Sequence, residues 1–417
     1  MKHLILGNGP AGVVAAETLR KHAPGDAITL LGDEPGPPYS RMAIPYLLMG
    51  DIEVPGTWLR KDPSHYERLG IALMAGRAAS VDTARREVRL ETGETLAWDR
   101  LLVATGSRPN RPPIPGIDLP GVHPCWTLAD AHAIAARARK GSRVVQMGAG
   151  FIGCIIMEAL AARGVDLVVV EMGDRMVPRM MPPRASELMQ AWCARQGVRV
   201  ITGARVAEIR TSGAHLAVSL TDGQSFPADL VISATGVTPN TDFLEGSGVD
   251  CDQGVLVDER MESSVKGIYA AGDVSRAPEF DTDRKIAYAI QPTAVEQARI
   301  AALNMAGREA VSPGALAMNV LDTLGLVSAS FGQWHGVPHA QGGAWVEERD
   351  VDRFRYLRLE FKGERLIGAT SVGLTEHVGV IRGLIQGRVA LGEWKQKLLA
   401  DPSRLMEAYL ARAQAAS

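Results

Sequence analysis

Apolar and polar positions along the chain fall into one pattern that occurs twice. Leu4-Ile5-Leu6 is a short apolar run that ends at a glycine. An Ala/Leu-rich stretch with helical spacing follows, and then the run Ile28-Thr29-Leu30-Leu31. Val144-Val145-Gln146-Met147 opens the same sequence of events, which closes with Val168-Val169-Val170. A shift of 141 places Gly7 on Gly148, Gly9 on Gly150 and Gly12 on Gly153. Each copy predicts strand, glycine turn, helix and strand, the opening of a parallel sheet. A smaller echo links Leu102-Val103-Ala104-Thr105-Gly106-Ser107 with Val231-Ile232-Ser233-Ala234-Thr235-Gly236. Each predicts a strand that closes one of the two units. The five prolines between Arg108 and Gly121 mark a crossover linker.

Past residue ~315 the periodicity changes to alternation. Ala344 to Glu348, Phe354 to Phe361 and Arg365 to Ser371 predict antiparallel strands, the last two joined by a turn at Lys362-Gly363-Glu364. Helical patterns follow, broken at Pro402. The stretch His377 to Val389, rich in Ile, Leu and Val, predicts a core or subunit-interface helix.

Composition narrows the class. The 417 residues are 46% hydrophobic and 22% charged, enough for two or three cored domains. A net charge of −2 gives no basis for a nucleic-acid partner or a polybasic membrane patch. No apolar run approaches the ~18 residues of a membrane span. The first apolar run is too short for a secretory leader, so a cytoplasmic setting is expected. Cys125, Cys154, Cys193 and Cys251 make no Cys-x-x-Cys pair and fit no zinc module. His335 and His339 are four apart, but Gly336 and Pro338 interrupt any helix between them, so no metal site is expected.

The glycines carry the chemistry. In Gly7-Asn8-Gly9-Pro10-Ala11-Gly12 the first glycine permits a tight turn, the second admits a pyrophosphate to the backbone, and the third lets helix and strand pack. Gly148-Ala149-Gly150-Phe151-Ile152-Gly153 repeats the spacing. Glu171 ends the strand after the second loop, where a carboxylate binds an adenosine ribose and repels a 2′-phosphate. It predicts NADH over NADPH, with Arg175 nearby as the contrary sign. After the first loop, Asp33 and Glu34 are both candidates for that role, because the loop Ala23 to Asp26 obscures the register. Two loops in one chain suit a held flavin and a transient nicotinamide.

On these motifs the sequence resembles the two-dinucleotide-binding flavoproteins. These include the pyridine nucleotide-disulfide oxidoreductases, NADH oxidases and rubredoxin or ferredoxin reductases, and the flavoprotein part of NADH-dependent nitrite reductases. Ile268 to Val274 resembles the family's second FAD motif, which implies that Gly272 and Asp273 hold the flavin side of the cofactor. Gln291 to Gln297 resembles the helix start at the flavin pyrimidine edge, with Thr293 and Ala294 as amide donors. Pro37-Pro38-Tyr39-Ser40-Arg41 resembles the segment whose arginine contacts the FAD phosphates; Arg41 has a plain surface charge as its alternative. Thr105 and Gly106 are assigned to the FAD site, and Gly236 to the NADH site.

The resemblance implies an α/β fold with two Rossmann-like domains and a C-terminal α+β module. The FAD domain is expected at 1–114 and 243–314, the NAD domain inserted at 115–242, and the C-terminal module at 315–417. It also marks departures. Met42 stands where many relatives place a redox cysteine, and it forms no thiolate. Tyr46 stands where the ferredoxin-reductase branch has a lysine, either covering the flavin or packed in a core. Ile155 replaces a common glutamate two residues after the last glycine of the second loop, and Glu158 lies one helical turn further. Cys154 is expected to pack rather than react.

The expected activity is therefore hydride transfer from NADH to FAD, with no side chain acting as acid or base. Electrons then pass to a separate acceptor: an iron–sulfur or rubredoxin-type protein, a quinone or oxygen. A subunit of a larger oxidoreductase, a flavin-bound NADH sensor resembling apoptosis-inducing-factor-like proteins, and a homodimer are further readings.

Overall fold

A computed structural model describes residues 1–412. The chain divides into two compact units, Met1–Pro109 with Val237–Ala315, and Asn110–Gly236 with the residues from Leu316 onward.

The first unit is built on a five-stranded parallel sheet. Its strands run in the order Ile268–Ala270, Arg100–Val103, Lys2–Leu6, Ala27–Gly32 and Ile71–Ala75. Buried leucine, isoleucine and valine side chains give the central strands near-continuous apolar character, as expected when both faces of a parallel sheet are covered. The helix Pro10–His22 buries Ala15, Ala16 and Leu19, and the helix Gln291–Met305 buries Ala298, Ala301 and Ala302. Small residues on both helices let them pack closely against each other and the sheet. Arg100–Val103, the first of the two echoed segments, pairs with Lys2–Leu6 as a closing strand.

The second unit repeats the plan. Its parallel sheet runs Arg199–Ile201, Asp166–Val170, Arg143–Met147, Leu230–Ser233 and Val122–His123. Leu230–Ser233, the other echoed segment, pairs with Arg143–Met147. The proline-rich segment is more structured than a plain linker. Ser107–Pro109 pairs antiparallel with Val237–Pro239, so a two-stranded ribbon sits at this end of the first unit.

The same unit contains an antiparallel sheet of five strands rather than three. Its order is Met318–Thr323, Leu326–Gly332, Arg365–Val372, Arg355–Lys362 and Gly343–Asp350. The hairpin at residues 362–365 is as expected, with Gly363 at φ +57°. The additional hairpin turns at Leu324-Gly325, where Leu324 has φ +55° and Gly325 φ +85°. Two-residue hairpin loops with both residues left-handed strongly favour Asn-Gly, so Leu-Gly hides this turn from a reader of the sequence. Helix Val378–Gln386 buries Ile381, Leu384 and Ile385, which makes it a core helix. Pro402 separates helix Trp394–Ala400 from Leu405–Arg412. Among the described residues no helix is long and apolar enough to cross a membrane.

The Leu324 turn is held because its carbonyl accepts a hydrogen bond from Trp192 Nε1 at 3.0 Å. A left-handed leucine costs roughly 1–2 kcal/mol, and asparagine carries less of that cost. Leu324→Asn is expected to raise the thermal unfolding midpoint, by about 0.5–1 kcal/mol of stability. An unchanged or lower midpoint in a melting curve would show that the leucine side chain outweighs the backbone strain.

Candidate functional site

Both glycine loops are set by contacts between backbone atoms. Gly7 has φ +108°, and a Cβ on it would lie 2.1 Å from the Ala104 carbonyl oxygen. Gly148 has φ +102°, and its Cβ would lie 2.3 Å from the Ala234 carbonyl oxygen. A Cβ on Gly12 would strike the Gly7 oxygen at 1.8 Å, and one on Gly153 the Gly148 oxygen at 2.4 Å. No side chain fits at these four positions. The middle glycines differ in kind. A Cβ on Gly9 or Gly150 would meet nothing within 4 Å, so these residues border open space.

Each loop runs directly into the start of a helix. Gly9 caps Pro10–His22 and Gly150 caps Phe151–Ala162, both without a side-chain hydrogen bond. Pro10 has no amide to satisfy, and the remaining first-turn amides, with the helix dipole, favour an anion. Open space at the middle glycine, beside uncapped helix amides, fits a pyrophosphate in both loops.

Hydrogen bonds resolve the register that the sequence left open. The Gly7 amide donates to Leu31 O and the Gly148 amide to Val170 O, both at 2.8 Å. Glu171 therefore corresponds to Gly32, and the first unit's acidic residues fall one and two positions later. Room is short at Gly32, where a Cβ would lie 2.1 Å from the Asn8 side-chain amide. Glu34 accepts from Tyr39 Oη and from Arg41 Nη2, each at 2.6 Å. Asp33 is exposed. Arg41 is thus part of an ion pair rather than an isolated surface charge.

In the second unit the Glu171 carboxylate accepts from the amides of Ala149 and Gly173, each at 2.6 Å. Each oxygen retains acceptor capacity. Arg175 is turned elsewhere: both Asp174 oxygens lie at 2.9 Å from Nη1, and the carbonyls of Pro178 and Met181 accept its other nitrogens. Gly236 has φ +102°, and its carbonyl accepts from the Asn110 amide at 2.9 Å.

The remaining first-unit candidates gather around the end of strand Ile268–Ala270. Gly272 has φ +81°, and a Cβ there would come 3.3 Å from Ala294 Cβ and 3.5 Å from Ala11 Cβ. The Gly272 amide donates to Gln297 Oε1 at 2.9 Å, and Ser275 Oγ donates to the same oxygen at 3.0 Å. Buried Gln297, in the motif the sequence places at the helix start, thereby also locks this turn, a role that helical spacing alone does not reveal. Asp273 accepts from Ser107 Oγ at 2.9 Å. Burial raises the Asp273 carboxyl above the ordinary carboxylate range, against the lowering effect of Ser107 and Arg41. Thr105 Oγ1 donates to Asn240 O at 2.8 Å, Asn240 Nδ2 returns a bond to Thr105 O, and Gly106 has φ +65°.

At the start of helix Gln291–Met305 the Ala294 amide donates to Ile290 O at 3.1 Å. It is spent inside the helix, and Thr293 remains as the first-turn donor. Ser40 Oγ donates to Gln291 Oε1 at 2.8 Å, tying the Arg41 segment to this helix start.

The departures are also placed. Met42 and Tyr46 are 48% and 53% exposed, so Tyr46 is not a core tyrosine. Glu158 faces the C-terminal sheet. Burial, with the charge of Asp322 adding to it, raises its carboxyl above the usual range. Cys125, Cys154 and Cys193 are buried, Cys251 is exposed, and all four are free thiols. Burial pushes Cys125 and Cys193 up to about 12 and raises Cys154 as well, so none of these three is a thiolate near neutral pH.

Comparison with known proteins agrees with this geometry. Residues 1–302 match the family described as pyridine nucleotide-disulphide oxidoreductase. The NADH-dependent phenylglyoxylate dehydrogenase subunit epsilon of Aromatoleum evansii is 32% identical over 405 residues, covering 96% of this chain and 95% of its own. The ferredoxin–NAD(+) reductase component of the biphenyl dioxygenase system of Paraburkholderia xenovorans is 36% identical over 276 residues, covering 66% of this chain and 67% of its own. The solved structure of the covalent putidaredoxin reductase–putidaredoxin complex superposes with a TM-score of 0.90 at 26% identity, covering 98% of both chains. With the match spanning both glycine loops and the Asp273 turn, the chain belongs to the pyridine nucleotide-disulphide oxidoreductase family and is an FAD-dependent oxidoreductase of nicotinamide dinucleotides.

Proposed function

We propose that this chain is the NADH-oxidising flavoprotein of an electron-transfer system whose acceptor is a separate iron–sulfur protein or partner subunit. The observation that carries the reading is the pair of loops with the same glycine pattern and different acidic surroundings. The first loop lies with Arg41, Asp273 and the start of helix Gln291–Met305, the surroundings of a cofactor held at both ends. The second has only its loop, Glu171 and Gly236, which suits a nucleotide that comes and goes.

FAD is assigned to the first loop. Gly9, Ala11 and Gly12 border the pyrophosphate, with Pro10 fixing the helix start. Asp33 is the more accessible candidate for the ribose, being exposed, whereas Glu34 is held by Tyr39 and Arg41. Asp273, Gly272, Thr105 and Gly106 hold the flavin side, and the Thr293 amide supplies a donor at the helix end. Once bound, FAD supplies the acceptor for the nicotinamide's hydride and the store from which electrons leave.

NADH is assigned to the second loop, with Gly148, Gly150, Phe151, Ile152 and Gly153 around the pyrophosphate. Glu171 is oriented by two backbone amides and presents negative charge to the ribose. A 2′-phosphate beside it meets a like charge. Arg175 is already satisfied by Asp174 and two carbonyls. Glu158 is partly buried near the charge of Asp322, which does not favour it as a replacement for the glutamate lost at Ile155. Nicotinamide placement then rests on the loop and on packing. We further propose that the second unit holds two parts, an NAD domain and the C-terminal α+β module from residue 315.

A protein acceptor fits both kinds of relative. One that matches 96% of this chain is by name a subunit of an NADH-dependent dehydrogenase. Others are named for ferredoxin and putidaredoxin. With Met42 at the family's thiol position, electrons leave without a cysteine intermediate.

The purified protein is expected to be yellow. Gly9→Val, whose side chain enters open space, is expected to fold with an unchanged circular dichroism spectrum and lose bound FAD. Retention of stoichiometric flavin in this variant argues against the first loop as the FAD site. Wild type is expected to bleach its flavin anaerobically faster with NADH than with NADPH. Glu171→Ala should narrow that preference by about tenfold or more, since juxtaposed like charges cost several kcal/mol. A preference unmoved by the substitution removes Glu171 from the account. For the acceptor, affinity purification from the native host should recover an iron–sulfur protein that the NADH-reduced enzyme reduces; reduction of quinone or oxygen alone contradicts it.

A further inference from the structure

The two loops differ in one buried side chain. The 141-residue shift places Gln146 on Ile5, and both are fully buried in the strand that feeds the loop. An isoleucine there needs no explanation, whereas a buried amide does. Gln146 Nε2 donates to Gly148 O at 2.9 Å and to Gly153 O at 2.8 Å. It thus bridges the carbonyls of the first and third glycines. Its Oε1 is buried and has no hydrogen-bond partner among the described residues. Exchanging the amide's nitrogen and oxygen would set oxygen against two carbonyls, so the orientation is fixed by its neighbours.

The bridge goes with a difference in loop geometry. The third glycine of the first loop is pressed harder on its neighbour: the Cβ position at Gly12 is 1.8 Å from Gly7 O, against 2.4 Å from Gly153 to Gly148 O. The clearance at the third glycine is thus smaller in the first loop, whose strand carries isoleucine at the matching position, than in the second, where the amide bridges the two glycine carbonyls. A buried amide stands where an apolar residue of similar size serves in the other loop. Local rules are broken in this way where function requires it.

We infer that Gln146 is a positioning residue for nicotinamide dinucleotide binding: its amide sets the spacing of the second loop and so the aim of that loop's amides at the pyrophosphate. It touches neither substrate nor flavin itself. The inference rests on the assignment of NADH to the second loop.

The test uses flavin-loaded enzyme and two variants, Gln146→Ile, which installs the residue of the first loop, and Gln146→Met, which keeps the length of the side chain. Affinity for NAD+ and for ADP-ribose is measured by isothermal titration calorimetry, alongside FAD content, melting temperature, KM and kcat. Both variants are expected to keep full FAD and to melt at or above the wild-type temperature. Affinity for NAD+ and ADP-ribose should fall together, about tenfold. KM for NADH should rise by a similar factor, with kcat within twofold. Wild-type affinity in a variant that folds and holds FAD overturns the inference. So does a large loss of melting temperature or FAD in both variants, since the role is then structural. If wild-type enzyme itself binds neither NAD+ nor ADP-ribose, the assignment of the second loop fails instead.

Discussion

Both nucleotide loops depend on the approach of a glycine Cα to the carbonyl of a neighbouring strand. Gly7 lies against Ala104 and Gly148 against Ala234, at separations that exclude a side chain. This contact fixes where each chain turns out of its sheet. It therefore fixes where the helix starts and where its free amides point. The rest of each unit serves to hold the two partners of that contact: the strands Arg100–Val103 and Leu230–Ser233 lie beside the loop strands and deliver the carbonyls.

Around that shared contact the two units have diverged. In the first, side chains from distant parts of the sequence converge: Arg41 with Glu34, Ser107 with Asp273, Ser40 with Gln291, and Gln297 with the Gly272 turn. Such a web restricts motion and suits a cofactor that stays. In the second, the loop is held locally by Gln146 and Glu171, and fewer elements converge on it. A site of this kind suits a nucleotide that exchanges during turnover.

In the proposed reading, position and charge matter more than side-chain acid–base chemistry. Backbone amides, helix ends and a few fixed carboxylates supply position and charge. The two carboxylates differ in what fixes them: Glu171 is held by two backbone amides, whereas Glu34 is held by the side chains of Tyr39 and Arg41.

Much of this was legible in the sequence, for a physical reason. Glycine spacing, apolar strand runs and the 141-residue repeat report local backbone requirements, and local requirements are written in contiguous residues. Both parallel sheets and both loops follow from them, and the hairpin at Gly363 from alternation, whereas the Asp273 turn was legible only through the family resemblance. What the sequence did not decide was register and partnership. Only backbone hydrogen bonds show that Glu171 aligns with Gly32. The Leu324-Gly325 hairpin is left-handed at a leucine because Trp192, 132 residues away, holds its carbonyl. Gln146 reads as one polar residue in an apolar strand until its two glycine carbonyls are seen. Those outcomes depend on which atoms meet in space, and the tertiary structure alone brings them together.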